Sequence, residues 1–224
     1  MKKIIFNKVF FISFIVLTHV NTFAQLHIVK DFHIADSGIV YVKGLEVQFG
    51  TAASSTTTTT RTTTTYGKLW MDAASSLATI GGTFFPTSSH FMDGYVRSDR
   101  ASLFLYPVGQ SGVLGIAATV GSGTTPIDVA YRRAAASTAS TSPNFSSPLT
   151  ASSISTVEFW DIIGTASAKV TLTYDSTRSN FSALGITTVD QIGIAGLKIS
   201  NNTWEIIPST IGNGTNSTSI LTGT

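Results

Sequence analysis

Short apolar runs rich in β-branched and aromatic residues follow one another along the chain, and glycine, asparagine, serine or proline separates them every ten residues or so. Residues 26–34 alternate, with Leu26, Ile28, Phe32 and Ile34 on one parity and His27, Asp31 and His33 on the other, the period-two signature of a half-buried strand. Residues 39–43, 45–49, 68–71, 77–80, 91–97 and 103–108 continue the series, with Gly44, Gly67 and Gly81-Gly82 among the breaks. No amphipathic helix pattern competes with them. Short strands at this pace predict stacked solenoid rungs or a small sheet, although the spacing is too irregular for a repeat.

Two low-complexity stretches interrupt the series. Residues 51–65 hold ten threonines in fifteen positions with Arg61 as their one charge, and with no large apolar side chains they read as an exposed loop. Residues 133–156 are rich in serine, alanine and threonine, contain Pro143 and Pro148, and read as a connection between an N-terminal β segment (25–132) and a C-terminal one (157–208). Beyond the connection, Val157 to Ile162 is apolar on both parities, as in a central strand of a sandwich. Val170, Leu172 and Tyr174 alternate with Thr171 and Thr173, which predicts one buried face. Residues 191–200 and 203–207 read as a hairpin closed at Asn201-Asn202, with a bulge at Gly196 to reconcile a change of parity. Pro208 ends the second strand, and 209–224 reads as a polar tail or linker. The expected fold is therefore all-β: a glycine-punctuated, solenoid-like or small-sheet N-terminal segment followed by a β-sandwich-like C-terminal one.

The first 24 residues have a different character. Lys2, Lys3 and Lys8 precede a nine-residue apolar run, Val9 to Leu17, broken only by Ser13, and Asn21-Thr22-Phe23-Ala24 offers small residues where a signal peptidase reads. We expect export with cleavage before Gln25 and no transmembrane segment afterwards, since the run is much shorter than the roughly 20 residues a bilayer span needs. The formal charge of +2 changes with this reading: without those three lysines, 11 basic face 12 acidic side chains, which disfavours a nucleic-acid partner. Charged residues are 12% of the chain, too few for a coiled coil or a charged disordered tail. With no cysteine there is no disulfide, thiolate metal site or cysteine nucleophile.

The chemical constellations are each outweighed by a structural reading. Gly109-Gln110-Ser111-Gly112-Val113 approaches a nucleophile elbow but carries Val113 where the second flanking glycine belongs. His27 and His33 would lie about 20 Å apart on one strand, too far for one ion, and His90 has no evident partner. Glu158 and Asp161 are of opposite parity, and Asp93 and Asp175 open turns, so paired-carboxylate hydrolysis is not expected. Trp160 and Trp204 lie in the most apolar strands and read as core. Trp70 and Tyr95, with Arg97 and Arg100, are the candidates for ligand contact, and the basic group Arg97, Arg100, Arg132 and Arg133 is diluted by Asp99 and Asp128.

Phe91-Met92-Asp93-Gly94-Tyr95-Val96-Arg97, Phe104 to Gly109, Val157 to Thr165 and Trp204 to Ser209 together resemble a domain of large secreted surface proteins of Bacteroidetes, over roughly residues 38–210. Many of those proteins carry a type IX secretion sorting domain or a gliding-motility-associated C-terminal module, which does not follow here before Thr224. The resemblance implies an all-β, adhesin-like, extracellular or surface-attached protein. It also implies that this chain is the N-terminal part of a larger exported protein, or a short member that is periplasmic if full-length. Asp175-Ser176-Thr177 resembles the O-glycosylation pattern of such proteins, with Ser176 as acceptor; the Asn-X-Ser/Thr sequons mean little in a bacterial source. The expected function is a non-catalytic structural or adhesion module without cofactor or metal, meeting surface polysaccharide or other envelope components. The alternative is a carbohydrate-binding module using exposed aromatic rings.

Overall fold

The computed structural model describes residues 25–28, 34, 38–44, 46–49, 55–56, 67–79, 82–83, 91–121, 125–165, 167–212 and 215–221. The fold is all-β, and its first part is a coil that passes alternately through two parallel sheets. Strands Gln25–Ile28, Glu46–Phe49 and Ser76–Thr79 stack in parallel in one sheet. Ile39–Val42, Lys68–Met71 and Tyr95–Ser98 stack in parallel in the other. A two-residue strand from the threonine-rich stretch, Ser55–Thr56, pairs with Met92–Asp93, so part of the expected loop belongs to the coil. The coils differ in length, because Gln25 aligns with Glu46 and Glu46 with Ser76, which explains why no sequence period is visible. Of the expected strand 26–34, Gln25–Ile28 is a strand and Ile34 is buried; residues 29–33 lie outside the described residues.

Corners of successive coils are tied to each other. Asp72, just after Lys68–Met71, accepts from the amide of Gly44 in the preceding corner at 2.9 Å, and Gly44 takes the left-handed φ of +63°. The Asp72 amide donates to the Val42 carbonyl at 3.1 Å and the buried Ser75 hydroxyl to the same oxygen at 2.8 Å. Burial opposes ionisation of Asp72, but the Ser75 hydroxyl and the Gly44, Ala74 and Ser75 amides outweigh it and hold the carboxyl below its usual range.

Parallel stacking ends at Tyr95–Ser98. Its other edge pairs antiparallel with Ile127–Arg132, which pairs antiparallel with Phe159–Gly164, giving a five-stranded sheet. A second five-stranded sheet, antiparallel throughout, runs Phe104–Tyr106, Ala117–Gly121, Ser167–Thr173, Thr215–Leu221, Ser209–Gly212. One core joins the two sheets: Val42, Leu69, Met71, Val96, Ile127, Val129 and Tyr131 from the first meet Phe104, Tyr106, Ala117, Ala168 and Val170 from the second. Alternation decides which side chains enter it. Leu69 and Met71 are fully buried there, while Lys68 and Trp70 fall on the opposite parity.

Three expectations need correction. Phe159–Gly164 is an edge strand of its sheet, not a central one; its two apolar faces arise because Trp160 and Ile162 pack on the main core while Phe159 packs on a smaller second core. Residues 209–224 are not simply a polar tail, since Ser209–Gly212 and Thr215–Leu221 form a hairpin, the latter pairing with all of Ser167–Thr173. Backbone pairing needs no apolar side chain, and the threonine and isoleucine there suit a pleated strand. Finally, the hairpin Ile194–Lys198/Thr203–Ile207 keeps one register through Gly196, without a bulge. A Cβ at Gly196 would meet the tip of the Ile207 side chain, a flexible group that can shift aside. Asn202 closes the hairpin turn at φ +53°, as asparagine tolerates.

The 133–156 connection is itself packed. Asn144–Phe145 pairs in parallel with Thr203–Ile207, and Ala136, Ile154 and Trp204 form the smaller core with Phe145, Leu149 and Leu197 against it. Strands on either side of the connection pair directly, Ile127–Arg132 with Phe159–Gly164 and Ala117–Gly121 with Ser167–Thr173. If these ladders make one cooperative unit, Leu69→Ala should lower unfolding free energy by about 2–5 kcal/mol and shift a single denaturant transition as a whole. Two separate transitions, one of them unmoved, would contradict a shared core.

Candidate functional site

The most chemically dense part of the structure is the face of the first five-stranded sheet opposite the main core. Lys68, Trp70, Tyr95, Arg97, Asp128, Ala130, Arg132 and Asp161 reach it by simple alternation. Register then builds a cross-strand row: Tyr41 stands beside Trp70, Trp70 beside Arg97, Arg97 beside Asp128. Tyr41 meets the Trp70 ring edge-on at 4.9 Å, and the Arg97 guanidinium lies over that ring at 4.9 Å. The Trp70 indole Nε1 donates to Asp99 Oδ1 at 2.8 Å. Burial raises the Asp99 carboxyl above its usual range, a shift that the Trp70 hydrogen bond and Arg97 partly offset.

Asp128 ends the row and is completely buried. Arg97 grips it with two nitrogens, Nε on Oδ1 and Nη2 on Oδ2 at 2.8 Å, and Lys68 Nζ reaches Oδ2 at 3.0 Å from the strand beyond. The neighbouring row holds Tyr95, also fully buried, whose hydroxyl donates to Asp161 Oδ2 while the Arg132 guanidinium sits 5.1 Å from its ring. Burial first, and the Asp161 carboxylate second, push the Tyr95 phenol well above its usual range.

A second polar node lies at the base of the Phe159–Gly164 strand. Glu158, 4% exposed, accepts from the Tyr131 hydroxyl, from Arg178 Nε at 2.8 Å and from the Ser179 hydroxyl. Arg178 also donates to the carbonyls of Leu114 at 3.0 Å and Thr173 at 2.6 Å, and lies over Tyr131 and Trp160. Gly115 is required beside this node, since a Cβ there would penetrate the Tyr131 ring. Burial and Glu158 raise the Tyr131 phenol, as burial raises that of Tyr106.

No family model, curated protein or solved structure matches the chain. Its chemistry therefore has to be read from its own geometry. Of the four candidate contact residues, Trp70 and Arg97 come together, but each flanks the other within the row. Tyr95 has no exposed surface, and Arg100 is elsewhere, donating to the Ser75 carbonyl and lying 5.6 Å from the Phe104 ring. The expected basic group is not a patch: Arg97 holds Asp128, Arg132 covers Tyr95, and Arg133 donates to the Arg178 carbonyl at 3.0 Å. Trp160 and Trp204 are core residues, as their strands implied. Glu158 and Asp161 belong to separate networks, with different partners. Gly109 to Val113 is a tight β-hairpin, Gly109–Gln110 pairing with Val113–Leu114 around Ser111 (φ +53°) and Gly112 (φ +75°), so Ser111 sits on a strand–turn–strand and not on the strand–turn–helix of an elbow. The side chains of His27, Asp31, His33 and His90 lie outside the described residues, and among the described ones no three acidic or histidine groups converge as metal ligands. Ser176 is exposed in the turn that Asp175 caps through the Thr177 and Arg178 amides at 2.9 and 2.7 Å.

Tyr41, Lys68 and Arg178 are not singled out from the sequence, and Asp128 appears there only as a charge that dilutes the basic group. Parity alone would have placed Lys68 with Trp70, but pairing them with Asp128 requires the strand order. Asp128→Asn, which leaves two cations facing a neutral amide, should cost about 3–5 kcal/mol of stability in a chemical denaturation experiment; a loss below about 1 kcal/mol would show the cluster to be solvated. The pH response has a definite sign. Phenols raised in the folded state stabilise it fully below their unfolded value of about 10 and lose that contribution as pH rises through the higher folded values. Phenolate absorbance of Tyr95, Tyr106 and Tyr131 should therefore appear together with loss of near-ultraviolet circular dichroism above about pH 10; ionisation of all tyrosines before any unfolding would refute their burial.

Proposed function

We propose that the chain is a non-catalytic structural and contact module exported to the cell surface, part of an adhesin-like envelope protein of the Bacteroidetes type. The observation that carries this reading is that the buried carboxylates Asp128 and Glu158 are each held by two or more internal donors and act as structural ties. Such ties make a rigid body whose turns and strand faces meet the outside. Ser176, exposed on a rigid turn, is the proposed O-glycan acceptor.

The carbohydrate-binding reading has one observation in its favour. Tyr41 is 47% exposed and held edge-on against Trp70, so its ring is the available stacking surface in the row. Trp70, Tyr95 and Arg97 would then support that ring and not touch the sugar.

The decisive measurement is the intact mass and cell fraction of the native polypeptide in its source. The expected result is a species beginning at Gln25, found on the surface or in the medium, whose peptide containing Ser176 carries hexose mass. A species confined to the cytoplasm with Met1 to Ala24 retained would overturn the proposal.

A further inference from the structure

A groove of about 410 Å³ opens between the end of the Ser167–Thr173 strand, the short turn Val189–Gln191 and the outermost strand Ser209–Gly212. Tyr174, Val189, Asp190, Ile211 and Gly212 line it. Its volume lies within the roughly 300–1,000 Å³ of small-ligand sites. The lining combines two exposed aliphatic side chains, Val189 (51%) and Ile211 (38%), with one aromatic ring and one exposed carboxylate.

These groups are held in place before any ligand arrives. The Tyr174 hydroxyl donates to the Gly212 carbonyl at 2.7 Å, and Phe181 stacks on the Tyr174 ring at 5.9 Å from outside the groove. Asp190 sits on a turn closed by Gln191, whose side-chain oxygen accepts from the amides of Thr187 at 2.7 Å and Thr188 at 3.0 Å. The Thr188 hydroxyl and the Asp190 amide hold the Asp190 carboxyl below its usual range. An open, mostly apolar groove with one carboxylate in its lining suits a ligand that is a flexible hydrocarbon with a cationic tip. A sugar ring would need several directional hydrogen bonds, whereas the Gly212 carbonyl already accepts from Tyr174 and leaves one carboxylate to meet many hydroxyls.

We propose that this groove binds a lysine side chain of a partner protein, its methylenes between Val189 and Ile211 and its ammonium against Asp190 and the Tyr174 ring. The inference deepens the contact-module reading by naming the chemistry of one partner, and it rests on that reading.

The test uses the full chain as it is isolated from its source, with Nα-acetyl-lysine N-methylamide as probe and the methyl resonances of Val189 and Ile211 as readout. Saturable shifts with a Kd on the order of 1–10 mM are expected for one side chain. Asp190→Asn should weaken binding by about ten-fold, and so should acetylation of the probe's ammonium, a control that leaves the protein unaltered. No saturable shift, equal binding by Asp190→Asn, equal binding of the acetylated probe, or saturation by a methyl hexoside in place of the lysine probe would each overturn the assignment. Cell fraction decides the parent reading independently, so a surface-located protein with a silent groove overturns the lysine site alone.

Discussion

Asp128 is a completely buried carboxylate at the strand where parallel stacking gives way to antiparallel pairing. A charge there is tolerable only because Arg97 and Lys68 meet it from two successive strands of the parallel stack. Removing ions from water is expensive, and an ion cluster of this kind adds little net stability compared with well-packed apolar residues. Its consequence is positional. A one-residue slip of any of the three strands would turn Lys68, Arg97 or Asp128 into the apolar core and leave its partners uncompensated. The cluster therefore ties together register across the sheet at the point where chain direction changes, and Tyr41 and Trp70 extend the same row to its far strand.

Glu158 and Arg178 work in the other direction, between sheets. Arg178 lies just beyond the Ser167–Thr173 strand of the second sheet, yet it meets Glu158 at the base of the first and the Leu114 carbonyl of the hairpin between them. The Trp160 indole, donating to the Gly115 carbonyl at 2.8 Å, seals the same corner from the core side. Two buried carboxylates thus divide the labour, one setting strand register within a sheet and the other fixing how two sheets meet. Apolar burial supplies most of the driving force, at about 25 cal/mol per Å²; being non-directional, it could not set either relation by itself.

Period-two patterning was legible wherever one face of a strand is buried. Residues 68–71 are among the strands that the sequence predicts, whereas Ile127–Arg132, whose first five residues are all buried, shows no period-two pattern and is not among them. Glycine punctuation announced short strands, and Asn201-Asn202 announced a hairpin. What patterning cannot reveal is which strands become neighbours, because parallel coils join residues far apart in sequence and of unequal separation. That is why Trp70 and Tyr95 read as candidate contact rings when register places one between Tyr41 and Arg97 and the other beneath Asp161 and Arg132. The same limit explains the segment beyond Pro208. Its threonines and serines look unsuited to packing, but a strand added to an existing sheet is held by its backbone.

The consequence for function lies in where reactive groups end up. Along the strands, the charged and phenolic side chains Lys68, Tyr95, Arg97, Asp128 and Tyr131 are drawn into internal contacts that fix geometry, as is Glu158 just before its strand. In the turns Asp175 and Gln191 stabilise the backbone beside the exposed Ser176 and Asp190, while Arg178 and Ser179 of the first turn point inward to Glu158. A body of this kind suits recognition, because its exposed groups lose little freedom on contact and ordering costs fall accordingly. Parallel coils and antiparallel sheets clamped at two ion clusters make the interior stiff, and the second clamp reaches into a turn, because Arg178 lies two residues after Ser176. Strand ladders and the two clamps fix the fold, and Ser176 and Asp190 are exposed positions outside both clamps.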